Sequence, residues 1–259
     1  MTEHTGSLLQ AEEPPAWRTP QQSGHSAFLL ICDHAGSRIP RVLGTLGLPV
    51  AERHRHIAWD IGAAGLTTLL AARLDAWAIL QTYSRLVIDC NRAPGSPTSI
   101  VALSERTKIP GNEALSDVDA RRRAQEIFWP YHERIGQELD LRARQSRSPI
   151  LVSVHSFTPT YLEIVRPWHV GVLYREPRFA RLVMQGLRSE SGIVVGDNEP
   201  YALSDSSDYS VPMHAERRGI AHVEIEVRQD LIADESGQVA WADRLEGVLR
   251  SAEKSLNRQ

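Results

Sequence analysis

Hydrophobic and ionisable positions alternate strictly between His222 and Arg228, where Val223, Ile225 and Val227 separate His222, Glu224, Glu226 and Arg228. That period of two is the period of a β-strand, whose successive side chains point to opposite faces of its sheet. The ionisable face either meets solvent, as one face of an antiparallel sheet often does, or lines a site. Two further runs, Ala27–His34 and Ile150–His155, are almost continuously apolar, the pattern of strands buried on both faces. Each stops at a histidine followed by turn chemistry, Ala35 to Pro40 in the first and Ser156 to Pro159 in the second.

The remaining pattern alternates between the two periods. Strands are predicted at Trp77–Leu80, Leu86–Cys90, Val170–Tyr174 and Ile193–Val195. Helices are predicted at Pro49–His56 (short), from Asp60 to about Asp75, from about Asp117 to Gln145 with a break or bend near Pro130, and from about Val239 to Leu256. One more helix lies between the strands at Val170 and Ile193. Ala93–Gly111, dense in Pro, Gly and Ser, reads as an irregular surface loop. Residues 1 to about 25 are polar and aperiodic and read as a loosely ordered leader, which leaves residues 26–259 as a single domain. Strand and helix alternating throughout predict an α/β, three-layer sandwich around a mixed, mainly parallel central sheet.

Composition narrows the functional classes. The 259 residues carry a net charge of −3 and no basic stripe, which argues against a nucleic-acid partner. The Arg121-Arg122-Arg123 run reads as a solvated helix face. Both cysteines, Cys32 and Cys90, sit in apolar runs, so a reducing compartment is expected rather than a disulfide framework. No stretch approaches transmembrane length and no signal peptide is evident, so the expected location is the cytoplasm, with no membrane partner.

The two histidines at strand ends, His34 and His155, are suited to hold a metal, because ligands gather at the carboxyl ends of strands in α/β sheets. An open catalytic zinc site takes a third protein ligand. Asp60 is the candidate, although an Asp before a helix is equally an N-cap. His56 is a rival ligand or a partner to one, and His54 is a surface residue. Glu226 is the candidate general base, with Glu224 its rival on the same face. Arg228 would bind substrate, or simply pair with Glu226 or Asp230. In Tyr83–Arg92, Asn91 and Arg92 would clamp a substrate carboxylate through the rigid guanidinium fork, unless Asp89 pairs with an arginine and this stretch is structural. Tyr201 and His214 lie in a polar segment of the kind that carries binding residues.

Taken in order, Asp33-His34-Ala35-Gly36 with Pro40, His56–Gly62, Ser84–Arg92, Val154-His155-Ser156, Gly171–Tyr174, Val195–Tyr201 and Glu226–Ile232 resemble the N-formylglutamate amidohydrolase family. The resemblance implies a fold like that of the zinc exopeptidases and their phosphorylase/hydrolase-like relatives. It implies one zinc ion on His34, Asp60 and His155, Glu226 as base, and Asn91-Arg92 gripping a substrate carboxylate. The implied reaction is hydrolysis of N-formyl-L-glutamate to formate and L-glutamate, a step of histidine degradation, with Arg85 or Arg38 at the oxyanion. The sequence departs at Asp33, where the family pattern has proline. This points to a divergent branch and leaves open another N-acyl amino acid, a carboxypeptidase-like deacylation of another small amide, or a non-catalytic ligand-binding relative.

Overall fold

The computed structural model describes residues 6–21, 23–205 and 207–258. Its centre is a seven-stranded sheet built from β1 (Trp17–Arg18), β2 (Phe28–Cys32), β3 (Trp77–Gln81), β4 (Ile150–Phe157), β5 (Val170–Leu173), β6 (Val195–Asp197) and β7 (Ala221–Arg228). The order is β1-β3-β2-β4-β7-β5-β6. β3, β2, β4 and β7 run parallel, whereas β1 is antiparallel to β3, and β5 is antiparallel to β7. The expected mixed, mainly parallel sheet is present.

The period of two assigns the layers. Phe28, Leu30 and Cys32 of β2, Val152 and Val154 of β4, and Val223, Ile225 and Val227 of β7 share one apolar cluster with α1 (Ala63–Leu74), α3 (Pro177–Arg188) and α4 (Glu235–Leu256). Leu29, Ile31, Trp77, Ile79 and Leu151 face the other way, onto α2 (Trp129–Arg144) and the turn before it. Glu224 and Glu226 share that second face and are buried. Their strand lies inside the sheet, flanked by β4 and β5, and both side chains are buried, so the solvent-facing reading of its polar side fails.

Three expectations differ from the structure. Leu86–Cys90 is not a strand. Its apolar side chains are buried as in one, but turn bonds (Leu86 N to Ser84 Oγ at 3.2 Å, Val87 N to Ser84 O at 2.9 Å, Asn91 N to Asp89 Oδ1 at 2.8 Å) replace a ladder. The break expected near Pro130 is present: a π-helical turn at Ala124–Phe128 interrupts the long helix just ahead of Pro130, which sits in the first turn of α2. Arg123 is buried and donates to Val87 O, Gly111 O and Asn112 Oδ1, so the arginine run is not wholly solvated. The described part of the leader is fastened down: Leu8 and Ala16 are buried, Glu126 accepts from the amides of Leu8 and Leu9, and Trp17–Arg18 forms the sheet edge. Met1–Thr5 and Gln22, also assigned to that leader, lie outside the described residues.

Candidate metal centre and active-site cavity

β2 and β4 run parallel as neighbours, so their carboxyl ends deliver His34 and His155 to the same place. The rings meet edge to face with centroids 4.9 Å apart. Asp60 arrives from the segment before α1. That helix starts at Ala63 behind Gly62, which adopts a left-handed φ of 82° as N-cap, so the Asp60 carboxylate is not used as a cap. It turns instead to the histidines, with Oδ2 2.9 Å from His155 Nδ1 and 3.4 Å from His34 Nδ1. One ligand atom from each of His34, Asp60 and His155 lies within 4.8 Å of the others, and all three residues are buried.

Each imidazole is oriented from behind by a second carboxylate. His34 Nε2 lies 2.7 Å from Asp89 Oδ1, and His155 Nε2 lies 3.5 Å from Asp33 Oδ2 and 3.0 Å from Ser153 Oγ. Asp33 in turn accepts from Tyr131 Oη and Ser210 Oγ, both at 2.8 Å. This leaves both Nδ1 atoms aimed at the centre, and His34 Nδ1 has no hydrogen-bond partner there. Carboxylate–imidazole pairs of this kind fix tautomer and ring orientation in metal sites.

The electrostatics suit a cation. Burial opposes charge on both imidazoles, yet both are held above the usual histidine range: His34 by Asp89 and Asp60 against Arg85, and His155 by Glu224, Asp33 and Asp60. Burial would raise Asp60 and Asp89, but the neighbouring histidines, and Arg85 for Asp89, hold both below the ordinary carboxylate range. Surroundings that place positive charge on two buried imidazoles also stabilise a divalent ion between them. The donor set and the unpartnered Nδ1 therefore fit a metal.

β7 adds the acids. Glu226 lies in register with His155 on one side and Gly171 on the other, and Glu224 with Ser153 and Leu173. A side chain at Gly171 would meet Glu199 O at 2.1 Å and press on Glu226 Cβ at 3.4 Å, so glycine keeps this strand crossing open. Burial pushes Glu226 up to about 7, with His155 opposing and Asp60 adding to the rise. Burial lifts Glu224 well above the carboxylate range. The Oε2 atom of each is buried without a partner.

These groups line a cavity of about 430 Å³, the size of a small-molecule site. It also receives Arg85, Asn91, Arg92 and Tyr201. Arg85 donates from Nε and Nη2 to Asp89 Oδ2 at 3.0 and 2.6 Å, and its Nη1 stands 3.5 Å from Asp60. The pairing of Asp89 with an arginine is thus real, and it still faces the site. Tyr201 is 44% exposed at the rim and accepts from Arg166.

Other candidates fall elsewhere. His214 is buried against His132, with Nε2 2.9 Å from His132 Nδ1, and does not line the cavity. Arg228 does not line the cavity and forks onto Asp230 at 2.8 and 3.1 Å. Arg38 is exposed and outside the lining. His56 lines the cavity but pairs with Glu105 at 3.0 Å, outside the cluster of ligand atoms. Asp33, Tyr131 and Ser210 escaped the sequence reading, because they meet across separations of 98 and 177 residues. The ionisable Asp33 closing an otherwise apolar strand was the one local hint.

The model of the N-formylglutamate amidohydrolase family matches residues 26–233, a span that holds every residue named above as a candidate ligand, base or clamp. The chain belongs to the N-formylglutamate amidohydrolase family. A gene product of Agrobacterium tumefaciens has a similar structure, with a TM-score of 0.93 and 33% identity over 96% of this chain and 99% of its own. The N-formylglutamate amidohydrolase of Ralstonia eutropha JMP134 shares the fold with a TM-score of 0.67, at 19% identity over 95% and 99% of the two chains. No curated protein matches the chain. Family membership supports an amidohydrolase or deacylase activity on a small molecule. Among the described residues, no helix is long and apolar enough to cross a membrane.

Proposed function

We propose that this protein is a metal-dependent amidohydrolase of the zinc-exopeptidase type that cleaves N-formyl-L-glutamate or a related N-acyl amino acid. The observation that supports it most is the convergence of ligand atoms from His34, Asp60 and His155 within 4.8 Å, in a cavity that Glu226 also lines. Zinc suits a His-carboxylate-His set. When bound, the ion polarises the amide carbonyl and acidifies water.

The chain's own groups supply the rest. Glu226 sits nearer the carboxyl end of β7 than Glu224 and is raised to about 7, so near neutrality it can accept a proton from water and release it to the leaving nitrogen. The water oxygen joins the acyl carbon, the C–N bond breaks, and the amine departs with the proton that Glu226 carried. Arg85, fixed by Asp89 and Asp60, presents a positive charge for the oxyanion, which favours it over the exposed Arg38. Arg92 offers its guanidinium to the substrate carboxylate, and Tyr201 closes the rim. Asn91 holds Arg92's segment in place: its Oδ1 accepts from the amides of Tyr209 and Ser210, both at 2.9 Å.

The test is release of the acyl group as formate or acetate by zinc-loaded protein, with N-formyl-L-glutamate and a panel of N-formyl and N-acetyl amino acids. Turnover of one of them is expected. Silence across the panel with metal bound would overturn the reading.

A further inference from the structure

The cavity holds more acids than cations. Asp60, Asp89, Glu105, Asp208, Glu224 and Glu226 face it, against Arg85 and Arg92. Both arginines are already engaged by acids of the chain. Arg85 is taken up by Asp89 and Asp60. Arg92 gives Nη1 to Asn91 O at 2.9 Å and lies 3.9 Å from Asp208 Oδ1. Asn91 Nδ2 donates to that same oxygen at 3.1 Å.

Asp208 stands apart from the other five acids of the cavity. Asp60, Asp89, Glu224 and Glu226 belong to the metal and base machinery, and Glu105 pairs with Arg55 and His56. Asp208 is anchored from its own loop, where Oδ2 accepts from Ser204 N at 3.0 Å and from Ser207 Oγ at 2.6 Å. Its other oxygen is thereby aimed at Asn91 and Arg92, with the side chain only 10% exposed. A carboxylate of the chain thus occupies the place where the Asn91–Arg92 pair would grip a carboxylate of the ligand. Among the described residues, Nε and Nη2 of Arg92 make no bond within the chain, which leaves one guanidinium edge for one carboxylate.

We propose that Asp208 determines specificity: the pocket takes N-acyl amino acids with a single carboxylate and an uncharged or cationic side chain, and rejects dicarboxylates. This rests on the amidohydrolase reading above and narrows its substrate. A second ligand carboxylate would be desolvated beside Asp208, with both arginines of the lining already engaged, and an unpaired buried charge is costly. A side-chain amide in the same place can donate to Asp208 instead, and a cationic side chain can pair with it. Discrimination of this sort comes from the repulsive element as much as from the attractive one.

The experiment compares N-formyl-L-glutamine with N-formyl-L-glutamate, which differ by one charge at nearly constant shape, on the zinc-loaded full chain and on Asp208→Asn. Wild type is expected to favour the glutamine compound in kcat/KM by about tenfold or more, equivalent to roughly 1.4 kcal/mol. Asp208→Asn is expected to collapse that ratio, mainly through KM for the glutamate compound. A wild-type preference for the glutamate compound, or a ratio unmoved by the substitution, overturns the proposal. If the variant does not fold, the wild-type ratio decides alone. If neither compound turns over, calorimetric binding of both to the metal-loaded protein decides. Tighter binding of the glutamine compound keeps this proposal and leaves the hydrolase reading to the wider panel, while equal, reversed or absent binding sinks this one.

Discussion

At one end of the cavity three carboxylates, Asp33, Asp60 and Asp89, surround two imidazoles, and at the other a single carboxylate, Asp208, sits on an amide and a guanidinium. The local ingredients are alike, acids held by nitrogen donors in a buried setting, but the charge balance differs. At the histidine end the acids are arranged in two ranks, Asp60 in front and Asp33 and Asp89 behind, so positive charge is drawn to the centre. At the clamp end the acid and the cation already face each other. Excess negative charge prepares one end for an ion, whereas satisfied charge makes the other selective about what it admits.

The sharpest way to break this comparison is to remove the ion. Chelation is expected to abolish turnover, and zinc to restore it. An ion that binds only the folded state also raises stability, by about 2.7 kcal/mol at a free concentration one hundred times its Kd. Thermal unfolding should therefore shift upward on zinc addition in wild type and fail to shift in His155→Ala. An unchanged melting curve in wild type would show that the histidine end does not take the metal. Next in size is Glu226→Gln, expected to lower kcat by about 10²- to 10⁴-fold with metal content and ligand binding retained. Glu224→Gln should cost less. Should Glu224→Gln prove the more damaging, the assignment of the base would pass to Glu224, and indifference to both substitutions would favour a non-catalytic relative.

The acids behind the histidines give a smaller effect. Replacing Asp89 or Asp33 by Asn leaves shape intact but removes the charge that orients an imidazole, so zinc affinity should fall by about 10- to 100-fold. Competition with a chromogenic chelator measures this independently of turnover. Matching affinities in wild type and both variants would mean that these acids serve packing only.

How much of this was written in the sequence depends on distance along the chain. The polar face of β7 and the histidines at the ends of β2 and β4 were visible because period-two alternation and an apolar run ending in His are local signals. Asp60 was visible as a candidate and undecidable in role, since cap and ligand look alike until Gly62 is seen to take the cap position. Leu86–Cys90 misled because burial makes a turn-rich core segment as apolar as a strand. Arg123 misled because a charge run says nothing of the buried carbonyls within its reach. The meeting of Asp208 with Asn91, 117 residues apart, has no local signature at all.

The smallest effect concerns the wall behind both ends, where His132 and His214 stack with rings 5.1 Å apart and Nδ1 to Nε2 at 2.9 Å. Burial is the main cause that keeps them neutral, lowering His132 to about 4 and His214 to about 3, with His132 also repelling charge on His214. An unfolded chain protonates such residues near pH 6.5. Between that pH and about 4 the unfolded state therefore binds protons that the folded state refuses, and stability falls as pH falls. The slope is at most about 1.4 kcal/mol per pH unit for each imidazole. Above pH 6.5 both are neutral in both states, and the pair contributes no pH dependence. Urea midpoints for wild type and His214→Gln between pH 7 and pH 5 isolate the pair from other titrating groups, and the variant should lose less stability over that interval. Parallel midpoints would mean that the two rings take up protons in the folded protein, and that this wall is wetter than its packing implies.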